Sequence, residues 1–238
     1  MQDATSCSHG CHHNSDAEER QQYCISIVPL FNHLDLDELK EIVQTTRSHQ
    51  FPKGQIVYHS GETSEGLYIV HKGSMKIYRL SGNGKEQLIR ILGPGDFTGE
   101  LSLFSASVHE SYAEALEPLE LCIMSRDSLQ SFLLKYPQIA LKMLGEFTSR
   151  LAESEKQATR IATETVETRI AMYLSNLSEM QKNSGITLPM SRKHLASYLG
   201  TTPETISRKL ADFEASGWIS QQGQRQIQIL NLDALLLV

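Results

Sequence analysis

The spacing of apolar residues changes along the chain and divides it into regions of different structure. From about Pro29 to Val43 apolar residues recur at helical spacing, and Asp35 is placed to cap a helix. From Phe51 to about Met124 short alternating apolar runs are punctuated by glycine, and LSGNGKEQ lies between two of them as a hairpin turn. Short strands at this spacing predict a β-sandwich or a small jelly roll.

A long helical pattern follows this β region from about Pro137. Apolar and small residues within it alternate in steps of three and four: Leu144, Phe147, Leu151, Ser154, Ala158 and Ile161. A narrow seam with charged flanks is typical of a two-stranded coiled coil. Because the stripe is too thin for a helix buried on its own β domain, we expect a helix that pairs two copies of the chain.

The last segment predicts a helix-turn-helix followed by a two-stranded wing. In SRKHLASYLGTTPETISRKLADFEASGWI, Ser191 can cap a first helix, and Gly200 permits the tight turn after it. Pro203 then stands at the first position of a second helix, where its missing N–H is harmless. The strands after this helix are expected to turn at Gly223.

The second helix has an apolar and a polar face. The apolar residues are Ile206, Leu210 and Phe213, and the polar ones are Glu204, Ser207 and Arg208. Arginine can bond guanine through two atoms, glutamate can accept from cytosine, and serine can bond either kind of base edge. The neighbouring candidates for phosphate contacts are Arg192, Lys193, His194, Lys209 and Arg225. The pattern therefore predicts binding to double-stranded DNA.

Composition limits how the protein can bind DNA, where in the cell it is expected and what its cysteines can do. The 238 residues carry a net charge of −6, which argues against binding polyanions with the whole surface but allows one local basic face. No apolar stretch is long enough to span a bilayer, and the polar N-terminus lacks the apolar region of a secretory signal. We therefore expect a cytoplasmic protein, where four cysteines indicate metal binding, redox chemistry or core packing rather than permanent disulfides.

A glycine-rich β domain, a long helix and this C-terminal module, in that order, resemble the CRP/FNR family of bacterial transcription regulators, and ETISR resembles the recognition helix of its FNR branch. The resemblance implies an α+β fold and a homodimer that is not an enzyme, with a TTGAT-type palindrome and RNA polymerase as partners. The expected divisions are a Cys/His-rich segment at 1–26, a sensory β-roll of the cyclic-nucleotide-binding type at 27–135, a dimerisation helix at 136–166 and a winged helix-turn-helix at 167–238.

GPGDFTGELSLF is similar to the phosphate-binding cassette of this family, with Gly99 and Glu100 as its Gly-Glu pair. Where cyclic-nucleotide binders carry Arg-Ser, this chain carries Glu110 and Ser111, and no Lys or Arg occurs from Ile91 to Ser125. A phosphate facing carboxylates without a cation would be repelled and desolvated. We therefore expect no binding of cyclic AMP.

The cysteines are the remaining candidates for a sensor. The resemblance implies that a strand cysteine, Cys122, joins Cys7, Cys11 and Cys24 of the N-terminal segment in holding a [4Fe–4S] cluster. The gaps of three and twelve residues between the N-terminal cysteines differ from the compact spacing of the family.

Other chemistries therefore stay open. Cys7 and Cys11 can bind zinc or copper together with His9, His12 or His13. A disulfide between an N-terminal cysteine and Cys122 needs no metal, and the segment can also be a tail without a role.

Two further alternatives concern the β region. A regulator of the same architecture can bind haem, for which His59, His71 or His109 would be axial ligands. A cupin-type metalloenzyme would require a His-x-His pair and a carboxylate on the strands, and no such pair occurs between residues 51 and 124.

Overall fold

The computed structural model describes residue 25, residues 27–100 and residues 108–238. The predictions for Cys7, Cys11 and Cys24 therefore lie outside the described residues. The described residues divide into two compact units, the first within 1–75 and 92–144 and the second within 76–91 and 145–238. The four divisions expected from the sequence stay a prediction.

The elements follow the order that the sequence pattern indicates. The strands are β1 (Thr46–Phe51), β2 (Ile56–Tyr58), β3 (Gly66–Lys72), β4 (Met75–Leu80), β5 (Glu86–Leu92), β6 (Phe97–Thr98), β7 (Tyr112–Ala115), β8 (Leu119–Ser125), β9 (Gly185–Thr187), β10 (Ile219–Gln222) and β11 (Gln226–Ile229). The helices are α1 (Leu36–Gln44), α2 (Arg126–Lys135), α3 (Pro137–Thr163), α4 (Val166–Gln181), α5 (Arg192–Tyr198), α6 (Pro203–Ala215) and α7 (Leu232–Leu236). None of the helices in the described part of the chain is long and apolar enough to cross a membrane.

The first unit is built on an antiparallel sheet with the order β1-β8-β3-β6, and β2 pairs separately with β7. β8 lies inside the first sheet, so that Cys122 faces Ser48 on one side and Ile69 on the other. The hairpin LSGNGKEQ belongs to the second unit: there the Ser81 N–H donates to the Lys85 carbonyl, and Gly84 has φ +78°. The predicted strands and hairpin are confirmed.

The first helix is shorter than the apolar spacing indicated. α1 begins at Leu36 because Asp35 caps it, accepting from the Glu38 N–H while the Glu38 carboxylate accepts from the Asp35 N–H. The predicted cap is confirmed, and the residues from about Pro29 that continue the apolar spacing precede the helix. Leu36 is 68% exposed, since the first turn of the capped helix lies away from the core.

The long helical region consists of two helices. α3 ends at Thr163, and Thr165 caps α4 by accepting from the Thr168 N–H. Leu144 and Leu151 of the predicted seam are 58% and 60% exposed, so the described chain does not bury them itself.

The second unit has its own core. The buried stripe of α6 consists of Ile206, Leu210 and Phe213. Trp218 packs against Phe213 with ring centroids 5.6 Å apart. β10 and β11 form the predicted wing, which turns at Gly223 with φ +78°.

The hairpin of β4 and β5 contributes to this second core, which the sequence pattern did not indicate. Leu88 of β5 is fully buried with the apolar residues of α4, α5 and α6. The Ser197 hydroxyl of α5 accepts from the Leu88 N–H at 2.7 Å and donates to the Glu86 carbonyl at 2.8 Å. One side chain thus satisfies a donor and an acceptor on the edge of β5.

This packing predicts that Leu88→Ala destabilises the second unit. Loss of a buried leucine side chain costs about 2 to 5 kcal/mol in free energy of unfolding, because a cavity remains. Urea unfolding followed by the fluorescence of Trp218, the single tryptophan, measures the effect. Leu36→Ala is the matched control, since Leu36 is exposed. Equal midpoints for the two variants would contradict the burial of Leu88 in this core.

Candidate nucleic-acid interface

The helix-turn-helix is assembled by local signals. Ser191 caps α5 by accepting from the His194 N–H at 3.3 Å, and Gly200 has φ +67° in the turn that follows. Thr202 caps α6 by accepting from the Thr205 N–H at 3.3 Å, with Pro203 at the first helical position. The predicted caps and turn are confirmed. They set where α6 begins and therefore which of its residues face outward.

The structure brings the three predicted base-contacting residues together. Glu204, Ser207 and Arg208 are exposed on the face of α6 opposite its buried stripe. Hydrogen bonds from its own N–H and from the Thr202 hydroxyl lower the pKa of the Glu204 carboxyl below its ordinary value. Glu204 is therefore an ionised acceptor near neutral pH, one helical turn from the Arg208 guanidinium.

The predicted phosphate contacts fall into two groups. Lys193 and Arg225 are exposed on α5 and the wing. Lys209 instead places its ammonium 2.7 Å from the Glu167 carboxylate and 3.6 Å from that of Asp212. The hydrogen bond with Glu167 raises the pKa of Lys209, so its charge is paired within the protein. A phosphate contact by Lys209 stays a prediction.

Arg192 also has protein partners. Its guanidinium donates to the Gln221 side-chain oxygen at 2.7 Å, to the Gln224 carbonyl at 3.3 Å and to the Gly223 carbonyl at 3.4 Å. All three acceptors belong to the wing. Nothing in the sequence pattern separated Arg192 from its exposed neighbour Lys193.

Cys122 is 2% exposed and forms no disulfide within the described residues. Alternate residues of a strand face opposite sides of the sheet. Cys122 therefore shares its face with the paired Ile69, whereas Ile123 and the paired Tyr68 lie on the other face. The thiol points away from the aromatic residues that surround Tyr68.

Residue 27 lies against the loop at Gly95, which is hydrogen-bonded to β3, the strand paired with Cys122. A Cβ on Gly95 would lie 3.1 Å from the Ile27 carbonyl oxygen, so the two backbones are in contact. The Gly95 N–H donates to the Val70 carbonyl at 2.9 Å, and Val70 is next to Ile69 in β3. The described chain therefore brings residue 27 near the sheet position of Cys122.

An aromatic cluster of Tyr58, Tyr68 and His109 lies on the other face of this sheet. The rings of Tyr58 and His109 stack at 3.6 Å, and Tyr68 meets His109 edge-on at 5.6 Å. Burial lowers the pKa of His109 and raises the pKa of Tyr68 to about 12. Gly99 of the cassette has φ +88°, and a Cβ there would overlap the Gly66 carbonyl. This glycine is required by the close approach of two backbones.

The histidines considered as haem ligands have different surroundings. His59 is exposed and lies 3.0 Å from the Glu62 carboxylate. His71 lies 3.9 Å from the Glu120 carboxylate, and His109 is part of the aromatic cluster. Among residues 25, 27–100 and 108–238, no three His, Cys, Asp or Glu side chains are grouped as metal ligands.

The β domain, the helix-turn-helix and the wing define a DNA-binding transcription regulator rather than an enzyme. Residues 48–136 match the cyclic nucleotide-binding domain family, and residues 168–237 match the Crp-like helix-turn-helix domain family. The chain belongs to the CRP/FNR family of transcription regulators. The predicted family, α+β fold and absence of an enzymatic function are confirmed.

Individual relatives agree with this assignment. The probable transcriptional regulator flp of Lacticaseibacillus casei is 37% identical over 210 residues, which span 88% of this chain and 95% of that protein. The anaerobic regulatory protein of Haemophilus influenzae is 30% identical, across 90% of this chain and 83% of its own. The structure of CLP, a c-di-GMP-responsive global regulator of Xanthomonas campestris, matches with a TM-score of 0.71 and 25% identity, across 82% of this chain and 99% of that chain.

The burial of Cys122 predicts that its thiol is protected from reagents in the folded protein. With the protein reduced and metal-free, iodoacetamide should label Cys122 at least about tenfold more slowly than in urea, because the thiol must first be exposed by opening of the sheet. Peptide mass spectrometry separates Cys122 from the N-terminal cysteines. Equally fast labelling with and without urea would contradict this location.

Proposed function

We propose that the protein is a homodimeric transcription regulator that binds a TTGAT-type palindrome and responds to redox conditions through its cysteines. The observation that carries the DNA proposal is the exposed group Glu204, Ser207 and Arg208 on a capped helix with a buried opposite face. In the major groove, Arg208 donates to guanine and Glu204 accepts from cytosine. Ser207 bonds an adjacent base edge, and Lys193 contacts a phosphate.

The exposed seam of α3 supports the dimer. Leu144 and Leu151 stand one above the other at heptad spacing and are exposed by more than half. An identical helix would bury both side chains. A two-fold dimer then presents two copies of α6 to half-sites about one helical turn of DNA apart. RNA polymerase is the expected partner of the bound dimer.

Arg208→Ala should weaken binding to a TTGAT palindrome by about 5- to 150-fold, which corresponds to about 1 to 3 kcal/mol for one bidentate base contact. Fluorescence anisotropy at fixed salt measures the affinity. Replacing the guanine of TTGAT should weaken the wild type but have little further effect on Arg208→Ala. Arg47→Ala removes the same charge from exposed residue 47 of β1 and is the control. Undiminished binding of Arg208→Ala would contradict the assignment.

The sensor proposal depends on the position of Cys122. Cys122 lies in the centre of a sheet, and residue 27 contacts the loop at Gly95 that is hydrogen-bonded to the neighbouring strand β3. Cys24 precedes Ile27 by three residues, a span of at most about 11 Å. This reach supports a site that joins Cys122 to N-terminal thiols.

A [4Fe–4S] cluster is the first candidate for that site. Cys7, Cys11, Cys24 and Cys122 would hold it as four thiolates, the donor set that such clusters require. When bound, the cluster supplies an oxygen-labile group. The four cysteines would then connect the N-terminal segment to β8 through the cluster.

A thiol–disulfide pair is the second candidate, because it uses the same buried thiol and no metal. Oxidation would join Cys122 to an N-terminal cysteine, with two electrons and two protons passing to an oxidant such as oxygen or a disulfide. A bond of this kind requires the two Cα atoms to lie within about 7 Å.

A cyclic nucleotide is not the effector in this proposal. Glu110 and Ser111 occupy the positions of the Arg-Ser pair, and the sequence from Ile91 to Ser125 contains no Lys or Arg to replace that arginine. The relative CLP is described as responsive to c-di-GMP, which is a property of that protein. Effectors therefore have to be assigned from the residues of each chain.

Cys122→Ala should abolish the redox dependence of DNA binding while the fold is retained, because alanine keeps the apolar packing but not the thiol. The measurement is the ratio of operator affinities between anaerobic reduced and air-exposed protein, which should fall to about one. Ser48→Ala, opposite Cys122 on β1, is the control for disturbance of the sheet.

The same samples distinguish the two candidates. Iron and acid-labile sulfide with visible absorption that bleaches in air indicate the cluster. A disulfide peptide containing Cys122, without iron, indicates the thiol switch. An undiminished redox response in Cys122→Ala would contradict both.

A further inference from the structure

The wing is attached to the rest of the DNA-binding unit by a polar network. Three of the bonds come from Arg192, the first residue of α5, to Gln221, Gly223 and Gln224. A guanidinium presents its N–H groups in a fixed planar fork. Both Nε and Nη2 of this fork are directed at the wing rather than at solvent.

Gln221 continues the network to the recognition helix. Its N–H donates to the Glu214 carboxylate at 2.7 Å, and its side-chain amide donates to the other carboxylate oxygen at 2.9 Å. The amide oxygen of Gln221 accepts from Arg192. The Gln221 amide therefore lies between an acceptor, the Glu214 carboxylate, and a donor, the Arg192 guanidinium. Only one orientation of the amide makes both hydrogen bonds.

The charges within the network reinforce it. The bonds from Gln221 and the positive charge of Arg192 hold the pKa of Glu214 below its ordinary value. Glu214 is the twelfth residue of α6, near the end of the helix that carries Glu204 and Arg208. The network thus connects the start of α5, strand β10 and the end of α6.

A cleft of about 450 Å³ lies beside the network, between the start of α5 and the wing. Ser191, Arg192 and Arg225 are among the residues that line it. Arg225 is exposed near the wing turn and can contact a DNA phosphate. The Arg192 guanidinium instead donates to the carbonyl of the residue that precedes Arg225.

We propose that Arg192 acts in DNA binding as a positioning residue, which holds the wing against α6 through Gln221 and Glu214, rather than as a phosphate ligand. Arg225 is then the wing residue that contacts the DNA backbone. Its position relative to the bases depends on the network. This inference adds to the proposed function and requires only that the protein binds duplex DNA.

Glu214→Ala distinguishes a phosphate ligand from a positioning residue, because the two roles of Arg192 predict opposite changes in DNA affinity. If Arg192 serves only as a cation for DNA, removing a nearby carboxylate lowers the repulsion of phosphates and strengthens binding. If the network positions the wing, the same variant weakens binding by about tenfold, as expected for a lost charge-assisted hydrogen bond. Glu179→Ala removes an exposed carboxylate from the end of α4 and is the matched control.

The complete test measures binding of a TTGAT palindrome by anisotropy across a range of salt concentrations. We expect Arg192→Ala and Glu214→Ala to weaken binding to a similar extent, and the double variant to be no weaker than either. Arg225→Ala should reduce the salt slope by about 0.9, the value for one phosphate contact. Additive losses for Arg192→Ala and Arg225→Ala, or stronger binding of Glu214→Ala, would overturn the proposal.

Arg192→Lys provides a second test. Lysine keeps the charge but cannot reproduce the planar fork, so we expect it to bind as weakly as Arg192→Ala. Retained affinity would indicate a phosphate contact instead and overturn the proposal.

A measurement on the free protein tests the role of the network independently of the DNA sequence that the protein binds. In the free protein, hydrogen exchange of the peptide covering 219–229 should accelerate by about tenfold in Arg192→Ala and Glu214→Ala, but not in Glu179→Ala. Unchanged exchange in the first two variants would overturn the role of the network. If the wild type fails to bind the palindrome while exchange accelerates, the operator assignment fails and the positioning role is retained.

Discussion

The burial of one side of α6 is the constraint on which the DNA-binding surface depends. Ile206, Leu210 and Phe213 are fully buried, and their burial fixes the rotation of the helix about its axis. With 3.6 residues per turn, this rotation leaves Glu204 and Arg208 on the outer side. The same contacts that stabilise the unit therefore orient the side chains proposed to contact bases, and a change in the core would move them without altering their chemistry.

Sequence could predict those parts of the site that are encoded locally. The caps at Ser191 and Thr202 and the turn at Gly200 involve partners within a few residues, so spacing and residue type were sufficient. The bond between Ser197 and Leu88 joins residues 109 positions apart. No pattern along the chain indicates such a pairing, and Leu88 has the same alternation as any strand residue.

The partners of the basic residues near α6 also could not be predicted from sequence. Arg192, Lys193 and Lys209 are similar from sequence, since each is a cation close to α6. The structure separates them through partners distant along the chain: Lys209 pairs with Glu167, and Arg192 bonds Gln221, whereas Lys193 is exposed. The family, fold and outer face of α6 could be predicted, but which of these cations have partners within the protein could not.

The two faces of the sheet around β8 carry different kinds of side chain. Cys122 and Ile69 lie on one face, and Tyr68, next to the stacked Tyr58 and His109, lies on the other. A ligand inside the roll and a reaction at the thiol would act on opposite sides of the same strands. β8 is hydrogen-bonded on both edges, to β1 and to β3, so Cys122 is held in the middle of the sheet and not in a loop.

The charge of the chain and the pairing of cations near α6 bear on the specificity of the proposed DNA binding. The chain carries a net charge of −6, and two of the cations around α6 have carboxylate or wing partners. Few phosphate contacts give weak binding to nonspecific DNA and a shallow dependence on salt. In the proposed complex, discrimination would then depend mainly on base contacts of Glu204, Ser207 and Arg208, and on a dimer that places two such surfaces at the correct separation.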